Sequence, residues 1–249
     1  MPRLSSIKSK LIIYLACFAL FLALKDKDFT FLCAAIVAVI SAVTAETAVL
    51  YFRTRTFRVT ESSIITGLIV GYVLSSDEAW FKLVFASLAA ILSKYVIRFR
   101  NKHIFNPAAF GIFLSIILLG ATTQWHGTYL WYIVAAAGLY FAYKFRKIEI
   151  IVGYAIFFLA LFGVQAVVQK VPVAGIFGYL SYFYIFVMVI EPKTTPTRTP
   201  GKYLFGAVLV ILIFILTQAG LKFDVELLSL LAMNAAVPLL NKLSPKKEA

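Results

Sequence analysis

Residues 29–52 read FTFLCAAIVAVISAVTAETAVLYF, twenty-four residues that include a single charge, Glu46. A helix that crosses a bilayer needs about 20 mostly apolar residues, so this stretch predicts a transmembrane helix. The whole chain of 249 residues shares its character, because 62% of them are apolar and only 14% are charged. Soluble domains carry about 25% charged residues, so the composition excludes a soluble enzyme. The apolar runs lack a two-residue alternation, which excludes a transmembrane β-barrel.

Ten apolar segments follow one another along the chain. At about 20 residues each, they leave room outside the membrane only for connections and tails. We therefore predict an all-α integral membrane protein with about ten transmembrane segments and no folded domain outside the bilayer. The segments are 11–24, 29–52, 62–76, 79–97, 104–120, 128–143, 150–168, 175–190, 203–220 and 225–240.

The formal net charge of +13 arises from Lys and Arg residues that lie mostly in short clusters between the apolar segments. Every second connection holds three of them, which places eighteen on one side of the membrane and four on the other. Cytoplasmic connections are enriched in Lys and Arg, so this alternation predicts that both termini are cytoplasmic. Because the clusters follow the topology, they indicate contact with lipid headgroups and argue against a nucleic-acid partner.

Two of the segments are too short for an ordinary crossing. Segment 62–76 has about 15 residues, or ~23 Å of helix against a ~30 Å hydrocarbon core. In segment 104–120, Asn106 and Pro107 fit the N-cap and the first position of a helix, which leaves about 13 helical residues. Short helices with polar ends are typical of broken or re-entrant elements that line a site at membrane depth.

The ten segments divide into five and five, and a repeat with an odd number of spans inverts its orientation. The sequence NPAA that begins at Asn106 has a counterpart in the NAA that begins at Asn234. We therefore predict one transmembrane domain, 1–249, built from two inverted five-helix repeats at about 11–120 and 128–240.

Three acidic residues are candidates for an ion pathway. Glu46 is the one acidic residue deep within an apolar run, where a charge costs roughly 2.5–3.5 kcal/mol on insertion scales. Glu46 is interpreted either as a binding site for an ion or proton, or as a structural partner of Lys94 or a threonine. Glu61 and Glu191 lie at the predicted cytoplasmic boundary. They are either the inner mouth of the same pathway or ordinary boundary carboxylates.

The stretch 191–202, EPKTTPTRTPGK, contains three prolines and cannot form a continuous helix. Its hydroxyl groups, including those of Thr194 and Thr195, could bind an anion or the ribityl chain of a flavin, or the stretch could be a solvated hairpin. Asn106 caps a helix in the simplest interpretation. If that helix is re-entrant, its exposed amides also face a cavity and could contribute to a cofactor site.

The uncharged loop GATTQWHG, residues 120–127, lies on the predicted outer side. Thr122, Thr123 and Trp125 are its candidate ligands, and the indole of Trp125 could stack on an isoalloxazine ring or belong to the aromatic belt of the membrane interface. His126 and His103 fall on opposite predicted sides, so they do not form one metal site. No metal site is predicted.

Four motifs, in the right order, resemble one family. The chain is similar to the membrane subunits grouped as NqrB/RnfD, which belong to sodium-translocating NADH:quinone reductases and Rnf electron-transport complexes. The resemblance implies a ten-helix inverted repeat like that of urea transporters, a flavin, and a place on the path that couples electron flow to Na⁺ or H⁺ movement in a prokaryotic inner membrane. The motifs are SSIITGLIVGYVLSS (62–76), HIFNPAAFG (103–111), EPKTTPTRTPGK (191–202) and ELLSLLAMNAAVPLLNKL (226–243).

The chain departs from the family pattern at two places. Members with covalent FMN carry it on the last residue of a motif like D-x-x-[ST]-G-A-[TS], and the corresponding stretch here ends in Thr122 but has Ile116 and Leu119 at the acidic and first hydroxyl positions. We therefore expect FMN or riboflavin to be bound without a covalent bond to Thr122. The second departure is Asn241, which stands where the family often has an aspartate.

These observations favour a membrane subunit of a flavin-dependent electron-transport complex that couples electron transfer to Na⁺ or H⁺ translocation. The alternative is a small-solute channel or transporter of urea-transporter-like fold without redox activity. The sequence contains no nucleotide-binding motif. The expected partners are therefore other membrane subunits and a soluble ferredoxin- or NADH-linked reductase, so the chain would be part of an enzyme and would not be self-sufficient.

Overall fold

The computed structural model describes residues 6–100, 102–221 and 223–243, which divide into two compact units. The first unit ends at Gly127 and the second begins at Thr128. This division falls in the connection between the two repeats predicted from the sequence. The opposite orientation of the repeats in the membrane stays a prediction.

The first unit contains five α-helices among its described residues, and a short antiparallel hairpin separates the last two. They are α1 (Ile7–Asp26), α2 (Phe29–Thr54), α3 (Glu61–Val73), α4 (Trp80–Val96), the hairpin strands β1 (Arg98–Phe99) and β2 (Lys102–His103), and α5 (Pro107–Leu119). Polar N-caps begin four of the helices, since the side chains of Ser6, Asp28, Thr60 and Asn106 each accept a hydrogen bond from the backbone N–H three residues later.

The second unit contains four α-helices in its described part. They are α6 (Trp131–Phe145), α7 (Ile148–Val168), α8 (Thr199–Gln218) and α9 (Val225–Leu243). The predicted segment 175–190 differs from the expectation, because it forms a 3₁₀-helix, Val173–Tyr179, and then a π-helix, Tyr184–Met188. Two glycines and a run of aromatic and β-branched residues lower the α-helical propensity of this segment.

Within the described residues, five helices are long and apolar enough to cross a membrane: α1, α2, α7, α8 and α9. Together with the shorter apolar helices they confirm the prediction of an all-α, multi-pass membrane protein. The prediction of short elements is also confirmed, since α3 and α5 have 13 residues each and α5 begins at Pro107 behind the N-cap Asn106.

Glycines allow the helices to pack closely. An added Cβ at Gly67 would lie 2.5 Å from the Cα of Val39, so α3 and α2 meet backbone to backbone. In the second unit, a Cβ at Gly206 would lie 2.2 Å from the carbonyl oxygen of Ile150, on the contact between α8 and α7. Small residues at such contacts are typical of helices that associate within a membrane.

Candidate functional site

Glu46, in the C-terminal half of α2, is the centre of a buried polar cluster beside the C-terminal end of α4. Its side chain is almost fully buried, and its Oε2 accepts hydrogen bonds from Thr60 Oγ1 at 2.7 Å and Lys94 Nζ at 3.3 Å. Its Oε1 accepts from the Tyr95 hydroxyl at 3.0 Å. Lys94 also donates to Ser62 Oγ at 3.1 Å. The two structural partners considered from the sequence, Lys94 and a threonine, are therefore both present.

Glu61 lies at the first position of α3, near the N-cap Thr60 of the same cluster. Its Oε1 accepts hydrogen bonds from the hydroxyls of Ser6 and Ser9, each at 2.5 Å. This carboxylate therefore ties the beginning of α1 to the beginning of α3. A negative charge in the first turn of a helix is also favourable toward the helix dipole.

Asn106 is 2% exposed, and its Oδ1 accepts a hydrogen bond from the backbone N–H of Ala109 at 3.1 Å. It caps α5 as predicted, and Pro107 follows at the first helical position. In the described structure its side-chain oxygen therefore serves the helix terminus.

The loop 121–127 closes the C-terminal end of α3. Backbone N–H groups of Gln124 and His126 donate to the carbonyls of Val73 and Tyr72, each at 2.8 Å, and Ser75 N–H donates to the Thr122 carbonyl at 3.0 Å. The last carbonyls of a helix have no partner within the helix, so these bonds let α3 end inside the protein.

Thr122, Thr123 and Trp125 all lie on this loop. Thr123 forms an isolated bridge with Leu74, and Trp125 is half-buried with a left-handed φ of 51°. Thr122 is exposed, and its hydroxyl donates to Glu78 Oε1 at 2.8 Å while its backbone N–H donates to the same oxygen at 2.7 Å.

Glu78 was not foreseen from the sequence as a partner of this loop. Its Oε2 lies 2.7 Å from the ammonium of Lys82. Burial raises the pKa of Glu78, but hydrogen bonds from Lys82 and Thr122 outweigh burial and hold the pKa below its ordinary value. The carboxylate is therefore ionised at neutral pH and supplies a negative charge beside the Thr122 hydroxyl.

His126 packs on the same loop, with its ring stacked on Phe31 at a centroid distance of 4.2 Å. Its Nδ1 lies 3.1 Å from the carbonyl oxygen of Tyr72 and therefore carries the proton in the neutral ring. Burial lowers the pKa of His126, an effect partly offset by this bond and by Asp28. In the described residues, no group of three or more His, Cys, Asp and Glu side chains is arranged as a metal site.

In the second unit, the loop 191–198 is held to α9 by two asparagines. Asn234 Nδ2 donates to the Thr194 carbonyl at 3.0 Å. Asn241 Oδ1 accepts from the backbone N–H and the hydroxyl of Thr197, at 3.0 and 3.1 Å. Because this proline-rich loop is not helical, side chains of α9 supply partners for some of its backbone groups.

The predicted ligands of this loop bond within it. Thr194 Oγ1 donates to Glu191 Oε2 at 3.2 Å, and Thr195 Oγ1 donates to the backbone carbonyl of Glu191 at 2.6 Å. Both threonines are 2% exposed. In the described structure their hydroxyls stabilise the turn after the π-helix.

A second ion pair, also missed from the sequence, joins α7 and α8 and has a buried lysine and a partly exposed glutamate. Lys202 Nζ lies 3.2 Å from each carboxylate oxygen of Glu149, and Lys202 is 6% exposed. Next to it, Lys147 is 4% exposed and donates to the Pro196 carbonyl at 2.7 Å. Lys147 and Lys202 belong to the basic clusters at segment boundaries, which were interpreted only as topology signals.

An apolar cavity of about 840 Å³ is a further feature of the second unit that the sequence did not indicate. Aromatic rings from α6, α7 and the segment 177–186 form much of its wall. They belong to Trp131, Tyr154, Phe158, Phe177, Tyr182 and Phe186.

Comparison with known proteins agrees with the two-unit architecture. The model of the NQR2, RnfD, RnfE family matches the chain twice, over residues 3–129 and 117–249, so that each match covers one of the two units. A search of curated proteins gave no match. Because the two family matches together span nearly the whole sequence, the chain belongs to the NQR2, RnfD, RnfE family.

Proposed function

We propose that this family member is a membrane subunit of a flavin-dependent electron-transport complex that couples electron transfer to Na⁺ or H⁺ movement. The observation that carries the ion-coupling part is the Glu46 cluster. Its carboxylate is buried, and its ligands are one ammonium, Lys94, and the hydroxyls of Thr60 and Tyr95. Buried ionisable groups in membrane proteins are expensive and commonly mark ion or proton pathways.

The cluster supports an exchange of cations at Glu46. The Lys94 ammonium lies on Oε2 at 3.3 Å, which is longer than a strong charge-assisted hydrogen bond. An arriving cation or proton would compete with Lys94 for this oxygen, while the Thr60 hydroxyl provides a further oxygen ligand. Glu61 and Glu191 are proposed as carboxylates of the inner mouth, on the predicted cytoplasmic side.

The outer loop 121–127 is the proposed flavin site of the first unit. The Glu78 carboxylate accepts hydrogen bonds from the backbone N–H and hydroxyl of Thr122 and pairs with Lys82, and these are the types of donor that bind a phosphate. An FMN phosphate would therefore have to compete with the Glu78 carboxylate for these donors. The hydroxyls of a ribityl chain could instead donate hydrogen bonds to that carboxylate. The loop fits riboflavin better than FMN, with Trp125 and Thr123 beside it.

The visible absorption spectrum of the purified protein tests the flavin. We expect a flavin spectrum, and acid precipitation should release the colour into the supernatant, where chromatography should identify mainly riboflavin. Trp125→Ala should lower the flavin content, whereas Trp80→Ala, at an exposed ring, should leave it unchanged. Colour that stays in the pellet and is abolished by Thr122→Ala would instead indicate a covalent flavin. A colourless protein, when purified with its membrane partners, would favour the solute-channel alternative.

Electrons should enter through a partner. The stretches 53–60 and 98–103 of the predicted cytoplasmic side contain six Lys and Arg residues and no acid. Such a surface favours an acidic ferredoxin-like or flavoprotein reductase, and docking of that kind becomes slower as salt screens the charges. The isolated chain should not be reduced by NADH, and addition of the reductase should restore reduction. Rapid NADH oxidation by the pure chain would contradict this.

A further inference from the structure

The connection between α6 and α7 places a buried lysine, Lys147, beside an ion pair that already contains a lysine. Lys147, which caps α7, is 4% exposed, and Lys202 near the beginning of α8 is 6% exposed. The carboxylate of Glu149 lies 3.2 Å from Lys202 through both of its oxygens. The site therefore contains two buried amines and one carboxylate.

The ligands of Lys147 are carbonyl oxygens. Its Nζ donates to the Pro196 carbonyl at 2.7 Å and lies 3.5 Å from the Thr195 carbonyl. Lys202 contacts both oxygens of Glu149, so this carboxylate is not a separate counter-ion for Lys147. In the first unit, by contrast, the buried Lys94 is paired with the carboxylate of Glu46 at 3.3 Å.

A buried ammonium without its own counter-ion is unstable relative to the neutral amine, because the low-polarity interior penalises the charge. The neighbouring charge of Lys202 adds repulsion. Near Lys147 in the chain are Lys144 and Arg146 at the end of α6 and Glu149 on α7. Lys202 lies on α8, and the loop 191–198, whose carbonyls Lys147 contacts, contains Glu191, Lys193 and Arg198. Of these, Lys202 and Glu149 act on Lys147, in opposite directions.

We propose that Lys147 is a proton-exchange site of the second unit, whose ammonium releases its proton to water near neutral pH and whose protonated form holds the loop 191–198. The step is a simple deprotonation, in which the N–H bond breaks, water accepts the proton and the amine keeps the electron pair. Its use in coupling rests on the function proposed above, but the exchange itself does not.

The electrostatics agree with the geometry. Burial and, to a smaller extent, the neighbouring charge of Lys202 lower the pKa of Lys147 to about 8, and Glu149 acts in the opposite direction. Charge-assisted hydrogen bonds are roughly twice as strong as neutral ones. Loss of the proton therefore weakens the hold on the carbonyls of Thr195 and Pro196, in the loop that also carries Glu191.

Amine modification of the unaltered protein tests the proposal directly. A small acylating reagent reacts only with neutral amines, and peptide mass spectrometry can follow Lys147 and the exposed Lys193 on the same molecule. We expect the reaction of Lys147 to reach half its limiting rate near pH 8, well below the ordinary lysine value of 10.5, although burial makes the reaction slower overall. The same pH midpoint for both lysines would overturn the proposal.

A second measurement uses the pH dependence of stability. Because the folded-state pKa is lowered, the unfolded chain binds more protons above pH 8, so the parent protein should gain stability relative to Lys147→Met as the pH rises from 8 to 10. Over this range unfolding should take up about one proton more in the parent than in the variant. Lys193→Met should follow the parent. Parallel profiles for the parent and Lys147→Met would contradict the proposal, whether or not the complex proves to be redox-active.

Discussion

Asn241 Oδ1 accepts two hydrogen bonds from Thr197, one from the backbone N–H at 3.0 Å and one from the hydroxyl at 3.1 Å. The neutral amide therefore performs the acceptor role that a carboxylate would perform at this position. It fixes the loop 191–198 to the last turn of α9 without adding a charge.

Replacing Asn241 by leucine should loosen this loop. Thr197 would lose its acceptor at a partly exposed position, and we expect a loss of about 1–2 kcal/mol in the free energy of unfolding. Asn241→Asp should be close to neutral, because the stronger hydrogen bonds are opposed by a negative charge at a helix C-terminus. Thermal melts in detergent can compare the two variants, and equal losses for both would contradict the assigned acceptor role.

Glu78→Gln should destabilise the loop 121–127 in a pH-dependent way. The folded-state pKa of Glu78 is lowered, so its contribution is present above the ordinary value of 4.5 and is lost as the pH falls through the folded-state pKa. The melting temperature of the variant should be a few degrees below that of the parent at pH 7 and approach it between pH 5 and 3. Asp77→Asn, at an exposed neighbour, is the control and should show no such convergence.

The Glu46–Lys94 pair should behave as a coupled unit. Lys94→Met leaves a buried carboxylate without its counter-ion, at a cost of roughly 3–5 kcal/mol. Combining it with Glu46→Gln should recover much of this loss, because glutamine carries no charge and its one oxygen still accepts from either Thr60 or Tyr95. A double-mutant cycle measures the coupling. Additive losses would mean that the two side chains do not interact, and in transport assays Glu46→Gln should reduce coupled cation movement.

Two glycines of α7 make a matched pair. A Cβ at Gly153 would lie 2.4 Å from the Tyr203 carbonyl oxygen, whereas a Cβ at Gly163 meets nothing within 4 Å. Gly153→Ala should therefore force α7 and α8 apart and cost about 1–3 kcal/mol or more. Gly163→Ala should be neutral or gain up to ~1 kcal/mol, because alanine favours the helix. Similar melting temperatures for the two variants would contradict the close α7–α8 contact.

Cysteine labelling in intact cells tests the predicted topology. In a background with Cys17 and Cys33 replaced by alanine, a membrane-impermeant maleimide should label Asp77→Cys and Lys170→Cys, on the predicted outer side. Thr56→Cys and Lys193→Cys should react only after the membrane is opened. All four positions are exposed, so the difference should report sidedness. Labelling of either inner cysteine in sealed cells would overturn the inverted arrangement.

The sequence predicted the local elements well because their signals are local. Asn106 and Pro107 carry the N-cap preference and the fixed φ that begin α5, and α5 begins there. Apolar length alone separated the long helix α2 from the short helix α3. The prediction at 175–190 was wrong because it relied on apolar length, which predicted an α-helix. The glycines and β-branched residues of this segment instead favour a 3₁₀-helix and a π-helix.

The missed site residues are those whose partners are distant in sequence. Thr122 and Glu78 are 44 residues apart, and Lys202 and Glu149 are 53 apart, so no spacing indicates either pair. The burial of Lys147 was missed for a different reason. It lies in a basic cluster at a segment end, where a lysine that marks topology and one that is buried look the same in the sequence.

The way in which α3 ends has a consequence for biosynthesis. The carbonyls of Tyr72 and Val73 emerge from the ribosome about fifty residues before the N–H groups of Gln124 and His126 that satisfy them. At a translation rate of roughly 5–20 residues per second, several seconds pass before the hydrogen-bond donors for the end of this helix are synthesised. During that interval the insertion machinery or water must satisfy these carbonyls. The first repeat can therefore close only when translation has passed the end of its own loop.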